Sequence, residues 1–422
     1  MNRSALSIIA SAILSTGLMV SCSNEDSPAL LPGTQPTEQE TEKPTDFKYI
    51  ELTSSQKQTN AANRNFAYEM LRQCVSLENI KNSDGNIFIS PLGMSNIMTM
   101  LANGADKQTL EEITSVLGAD LEQLNSFYSL MSDALPAADN QVKFSTDNSI
   151  WIDNSFHPSA HYMTLIGDLF HADSFTVELN TVETKDAINQ WCSEKTKGMI
   201  PEFLKDVPRG MMFLANALYF NGKWTRPFDA AETDKGIFNS STGKKNVVDM
   251  MHGKEDISYE RLQDGELISI IYGNKTYSFN IYLPSEGVSI EEALASSDKY
   301  LTYTPGDRNC FLSLPKLELD YSNDNMREIA ETMGIKRLFN TPGALSQIAD
   351  NLCCNFLKQV TKLKVDEAGA EAAGVTAAGM MNATGEESAK EPAVVNVNRP
   401  FIFSITETTN NIILFAGVVR EI

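Results

Sequence analysis

The 422-residue chain reads as a single α+β domain in which helices pack with large antiparallel sheets. Three observations carry that expectation. Helical and strand-like segments are mixed without βαβ regularity. No compositional break separates Thr53 from an Ala/Gly-rich stretch near residues 367–392. No internal repeat is present. A hydrophobic content of 42%, with 24 Gly and 16 Pro, fits a globular chain with a large core.

In chain order, Arg3 and the short apolar stretch Ala5–Val20 make an export signal, too short to span a bilayer comfortably. It runs into Leu18-Met19-Val20-Ser21-Cys22, which resembles a bacterial lipobox, where cleavage leaves Cys22 as the lipid-modified terminus. The bland alternative is an ordinary signal peptide with an incidental cysteine. Ser23-Asn24-Glu25-Asp26 resembles the acidic tag of surface lipoproteins in Bacteroides-like bacteria. The expectation is an exported lipoprotein of the cell envelope, on the outer-membrane surface and facing outward: signal 1–21, disordered Pro/Thr/Glu-rich tether 22–52, globular domain 53–422.

Phe66, Met70, Leu71 and Val75 recur at helix spacing and predict a helix over Asn60–Ile80. Ser90-Pro91 opens a second, Leu92–Ala102, and Asp106–Leu117 is a third. Strand-like runs follow at Lys143–Ile152, Phe213–Phe220, Ser278–Leu283, Asn309–Leu319 and Phe356–Val365. Phe401–Glu407 and Asn411–Val419, split by Thr408-Thr409-Asn410, predict a closing hairpin.

Lys plus Arg number 34 against 55 Asp plus Glu, a formal charge of −21. That balance disfavours nucleic acid and leaves the lipid anchor as the only membrane contact. The chemistry-bearing residues are sparse. His157 and His161 have i,i+4 spacing, but the metalloprotease glutamate is missing and Pro158 interrupts a helix there. Gly93-Met94-Ser95 lacks the trailing half of a hydrolase elbow. Cys74, Cys192, Cys310, Cys353 and Cys354 form no metal spacing and, being odd in number, no disulfide framework. No enzyme motif, cofactor or metal site is expected, and a monomer is.

The segment at 366–392 is different. As an extended strand it puts the small residues Ala370, Ala372, Gly374 and Thr376 on one face, and Glu371, Ala373 and Val375 on the other. Such a strand could slot into the middle of a sheet with its charge in water, and Gly369 would be the hinge.

Here the sequence resembles the serpin family. Glu367-Ala-Gly-Ala-Glu-Ala-Ala-Gly-Val-Thr376 is similar to the inhibitory hinge. Asn86–Ser95 resembles the segment beneath the sheet opening, Asn189–Ile200 the breach-region block, Leu214–Trp224 with Pro227-Phe228-Asp229 the central-strand block. Asn398–Phe401 and Leu414–Val419 resemble the C-terminal signature. The blocks keep family order from about residue 60 to 422.

The resemblance implies a single-domain fold with three β-sheets, about eight or nine helices and an exposed reactive-centre loop over about 367–397. It implies no catalytic residue, only a covalent complex with a target serine protease. A protease attacks the loop, forms an acyl-enzyme, and is trapped as the cut loop inserts into the central sheet. Carried over residue by residue, Glu367 to Thr376 form the hinge, with Ala370 replacing the usual Thr. Trp191 falls in the breach. Ser90, Ser95 and Asn216 fall in the shutter, and Gln359 replaces a usual His. Counting the hinge places the reactive bond at Ala383–Thr384, with Met380, Met381 and the basic Lys390 as alternatives. A small or apolar residue there suits elastase-like or subtilisin-like proteases, and Lys390 would suit a trypsin-like one. A non-inhibitory serpin acting as a surface binding or carrier protein is the competing reading, and a surface adhesin or nutrient-binding lipoprotein a third.

Overall fold

The computed structural model describes residues 45–422 apart from 82–84, 255–256, 297–298, 304–305, 307, 355 and 371–390. Nine helices are described: α1 Ser54–Ile80, α2 Pro91–Asn103, α3 Lys107–Leu117, α4 Leu121–Ala134, α5 Ala160–Phe170, α6 Val182–Lys195, α7 Ile290–Ser296, α8 Met326–Met333 and α9 Arg337–Asn340. The strands are β1 Ile87–Ile89, β2 Val142–Asp153, β3 Asp173–Val177, β4 Met212–Gly222, β5 Asp234–Asn239, β6 Lys245–Gly253, β7 Ile257–Arg261, β8 Gly265–Tyr272, β9 Tyr277–Pro284, β10 Arg308–Pro315, β11 Leu317–Asn323, β12 Gln359–Asp366, β13 Gly369–Ala370, β14 Ala393–Asn396, β15 Phe401–Glu407 and β16 Ile412–Val419.

Local chemistry sets the helix starts. Thr53 and Gln56 form a capping box ahead of α1, and Asp120 and Gln123 form another ahead of α4. Ser90 caps α2 by accepting the Gly93 N–H, with Pro91 in the first turn where no N–H is missed.

Three sheets result. The largest has ten strands in the order β1-β16-β15-β9-β8-β7-β10-β6-β5, with β14 alongside β10. Strands β9, β15 and β16 are buried along their whole length, which is why they read as continuous apolar runs. The other two sheets have three strands each, β3-β2-β4 and β11-β12-β13. The mixed α+β, three-sheet architecture matches the expectation.

Three details differ from the sequence reading. The run expected at Asn309–Leu319 is two strands in different sheets, because the chain turns a corner at Lys316, whose N–H donates to Asp249 O at 2.9 Å. The strand expected from Phe356 starts at Gln359. The expected tether to residue 52 ends earlier, for Ile50 and Leu52 are buried in the core and Thr45 N–H donates to Asn140 Oδ1 at 2.9 Å. His157 lies outside α5, which begins at Ala160 after Pro158, so no helical i,i+4 pair with His161 exists. No described helix is long and apolar enough to cross a membrane. No described group of His, Cys, Asp and Glu could hold a metal.

Candidate functional site

Strands β4 and β12 belong to separate sheets, and between them lies a cavity of about 780 Å³. Leu214, Asn216 and Leu218 of β4 form one wall, Gln359 and Thr361 of β12 the other, and Gly93, Ile97 and Leu101 of α2 line its inner side. The void has the setting of a missing strand. Gly93 lets β4 come down onto α2: a Cβ there would lie 2.3 Å from Leu218 Cδ1 and 2.5 Å from Asn216 Oδ1.

At its upper end the slot is already occupied. Asp366 and Gly369 pair across a tight turn, as do Val365 and Ala370, so β13 is a short antiparallel neighbour of β12. On its other edge Gly369 bridges to Lys223, at the end of β4. Two residues of new strand thus sit between the half-sheets. Gly369 has φ 145°, and a Cβ would meet Gly222 O at 2.0 Å, so only glycine fits. Ala370 is buried, which explains why a small uncharged residue serves there.

The turn is anchored on three sides. Ala368 N–H donates to Asp366 Oδ1 at 3.0 Å. The backbone N–H of Trp224 donates to Ala368 O at 2.9 Å and that of Phe228 to Glu367 O at 2.8 Å. The Trp224 indole N–H donates to Asp366 O at 2.9 Å, and its ring stacks on Tyr272 with centroids 4.2 Å apart. Glu367 receives Lys316 Nζ at 2.8 Å and the Thr233 hydroxyl at 2.8 Å. Burial pushes the Glu367 carboxyl up, but those hydrogen bonds and the lysine charge outweigh it and hold its pKa below the ordinary value.

Of the residues expected at the shutter, Gln359 and Asn216 stand on opposite walls of the slot. Gln359 makes a two-way clip: its Oε1 accepts the Ser90 N–H at 2.9 Å and its Nε2 donates to Ser90 O at 2.9 Å. The amide carries its donor and acceptor at every pH, whereas an imidazole offers that pair only while neutral. Ser90 Oγ donates to Leu414 O at 2.8 Å, tying the clip to β16. Asn216 stands on the opposite wall and donates to Asn148 Oδ1 at 2.9 Å. Ser95 faces away from the slot, donating to Pro91 O at 2.8 Å and accepting the buried Tyr128 hydroxyl.

Trp191 needs correction. It lies on α6, buried among Trp151, Ile188 and Phe203, and its indole N–H donates to Asp173 Oδ2 at 3.1 Å. The tryptophan at the mouth of the slot is Trp224. Trp191 and Cys192 stand three and four residues after Ile188, a helical apolar face that marks Trp191 as core, while Trp224 follows a strand and its neighbours hold the turn; that signal was in the sequence. The block around Trp191 has its own job. Asn189 Oδ1 accepts Phe203 N–H at 3.0 Å and Leu204 N–H at 2.7 Å, pinning the segment that returns from α6 to β4.

Glu371, Ala372, Ala373, Gly374, Thr376, Met380, Met381, Ala383, Thr384 and Lys390 lie outside the described residues, as does Cys22. Of the cysteines, burial pushes the Cys74 and Cys192 thiols up to about 12, Cys74 also feeling the Glu78 charge. They are packing groups.

The profile of the family described as Serpin (serine protease inhibitor) matches residues 61–422. Iris of the tick Ixodes ricinus is 31% identical over 361 residues, covering 81% of this chain and 94% of its own. Among solved structures, native tengpin, a thermophilic serpin, superposes with a TM-score of 0.74 at 27% identity, over 90% of this chain and 96% of its own. Human thyroxine-binding globulin superposes with a TM-score of 0.76 at 22% identity, over 87% and 99%. The split sheet, the seated turn and these likenesses agree: the chain belongs to the serpin family, whose members are in general serine protease inhibitors that form complexes with their targets, and are not enzymes.

Proposed function

We propose that this chain is a suicide-substrate inhibitor that traps the acyl-enzyme of an elastase-like or subtilisin-like serine protease by inserting its cleaved loop between β4 and β12. The observation that carries the reading is the hinge turn, seated as the first two residues of a strand whose remaining space is void. The register supports it from both sides. Continued from the Asp366–Gly369 pair, it brings Thr376 opposite Gln359; continued from the Lys223–Gly369 bridge, it brings Thr376 opposite Asn216. Both countings start at Gly369 and bring the same residue between the two polar side chains. An inserting strand there gains backbone hydrogen bonds on both edges, the driving force for dragging an attached protease.

The reactive bond is assigned to Ala383–Thr384, with Met380, Met381 and Lys390 as alternatives. A monomer tethered through Cys22 would shield the cell surface from surrounding proteases. The test mixes the protein with elastase-, subtilisin- and trypsin-type proteases and follows denaturing gels and intact mass. The reading expects an adduct that survives denaturation, with release of Thr384–Ile422. Clean cleavage without adduct by all three sinks it and favours a carrier role.

A further inference from the structure

We propose that Ser313 is a nucleophilic serine, served by His252 and Asp234, that accepts the acyl group of an activated ester with a short apolar acyl chain. The inference does not depend on the insertion reading, for these residues belong to the ten-stranded sheet and none of them lines the slot. Asp234, His252, Ser313 and Asn396 are far apart in sequence, and strands β5, β6, β10 and β14 set them side by side. Ser313 is the register partner of His252 on one side and of Asn396 on the other. Asp234 pairs with Met250, two residues from His252, so its side chain stands diagonal to the imidazole on the same face. The side chains meet accordingly: His252 Nδ1 lies 3.0 Å from Ser313 Oγ, and Nε2 lies 3.2 Å from Asp234 Oδ1.

The tautomer follows from the partners. A carboxylate only accepts, so the Nε2 that faces Asp234 carries the proton of the neutral imidazole. The Nδ1 lone pair is thereby turned to the serine, whose hydroxyl donates to it. Nucleophile, base and the group that orients the base are all in place, with the two ring nitrogens exchanged relative to the protease triad. Two neighbours complete the site. Phe311 stands one pleat repeat, about 7 Å, from Ser313 on the same face, and its register partner is Val394. These side chains are 47% and 81% exposed, an open apolar seat beside the hydroxyl. Asn396, exposed on the far side of Ser313, offers a side-chain amide as donor to the oxyanion. In the reaction Ser313 Oγ attacks the ester carbonyl carbon as its proton passes to His252 Nδ1. The Oγ–C bond forms, the bond from that carbon to the leaving oxygen breaks, and the proton moves on to the leaving oxygen. The products are an acyl-serine and a free alcohol or phenol.

The experiment incubates the intact chain with p-nitrophenyl butyrate, follows release of p-nitrophenol, and maps the butyryl group by peptide mass. The expected result is a butyryl group on Ser313, a rate lost in Ser313→Ala, and a rate lower by at least about a hundredfold in His252→Ala. Asp234 acts through the imidazole as a positioning residue. Asp234→Ala is expected to lower the rate about tenfold, less than loss of a buried triad aspartate would, and Asp234→Glu to recover part of it. Thermal midpoints check that each variant is folded, and His252→Asn takes the place of His252→Ala should that midpoint fall. Butyryl groups on lysines alone overturn the proposal, as does a Ser313→Ala chain that releases p-nitrophenol as fast as wild type. A folded His252 variant with the wild-type rate overturns it too.

Discussion

The ten-stranded sheet and the pair of three-stranded sheets are built from the same chain under opposite rules. In the first, β8, β9 and β15 each have two hydrogen-bonded neighbours, and Phe279, Ile281, Phe401 and Phe403 are fully buried. Nothing there is left to gain. In the second, β4 and β12 each have one complete neighbour and face a void that two residues of β13 have begun to fill. On the insertion reading, the saturated sheet is the frame and the unsaturated pair is where further strand pairing would release free energy. That reading places the least saturated hydrogen bonding where the conformational reaction would occur.

The largest break in that contrast should come from Gly369→Val. A Cβ would collide with Gly222 O and force a left-handed backbone on a branched residue, a strain of a few kcal/mol. Because the turn is already seated before cleavage, the variant must unseat it and begin insertion without its first two residues, which should lower adduct yield per cleaved loop at least about tenfold, the equivalent of ~1.4 kcal/mol. Gel assays should then show loop cleavage with little adduct; undiminished adduct would remove the hinge from its role.

Trp224→Ala and Trp191→Ala sharpen the comparison. Each deletes a buried indole and should cost about 3–5 kcal/mol in denaturant unfolding. Only Trp224→Ala also frees Asp366 O and the turn, so only it should change the adduct yield per cleaved loop. Equal effects on yield would mean that the mouth is not a distinct site.

Gln359→Ala leaves the buried Ser90 N–H without its partner, while the Ser90 carbonyl keeps only the Met94 N–H, and should cost about 1–3 kcal/mol. Urea unfolding measures it, and a change below a few tenths of a kcal/mol would contradict the clip.

The smallest effect is electrostatic. The pKa of Glu367 is depressed in the fold, so its contribution is complete above the ordinary glutamate value of 4.5 and is lost as pH falls through the lower, folded value. Lys316 is 40% exposed on its side chain, so the pair should be worth no more than about 1 kcal/mol. Glu367→Gln should flatten the acid limb of the stability–pH curve by that amount and leave pH 7 to 9 behaviour parallel to wild type. An unchanged acid limb would place the ion pair in solvent.

Much of this architecture is legible in the residues, and the failures have physical causes. The helix over Asn60–Ile80 and the closing strands announce themselves because their apolar periods are uninterrupted. Small residues alternating from Ala370 to Thr376 raise the expectation of an inserting strand, of which only Gly369 and Ala370 fall among the described residues. The corner at Lys316 leaves no such mark, since β10 and β11 are both apolar-alternating and the break lies in tertiary direction. Ile50 and Leu52 look like a tether because two buried side chains cannot outweigh a Pro/Thr/Glu-rich context in composition. Trp191 and Trp224 are the same residue type in neighbouring blocks, and only their partners tell them apart. The Phe213–Phe356 contact joins residues 143 positions apart, beyond any local pattern.

The central claim is that the space between β4 and β12 is the seat of the cleaved loop. The most direct test is the thermal midpoint of the protein before and after a single cut in the loop, with both fragments retained. On the order of ten new backbone hydrogen bonds at about 1 kcal/mol each, at roughly 2 °C per kcal/mol for a large domain, predict a rise of roughly 20 °C. A midpoint that stays level or falls after cleavage would contradict the account.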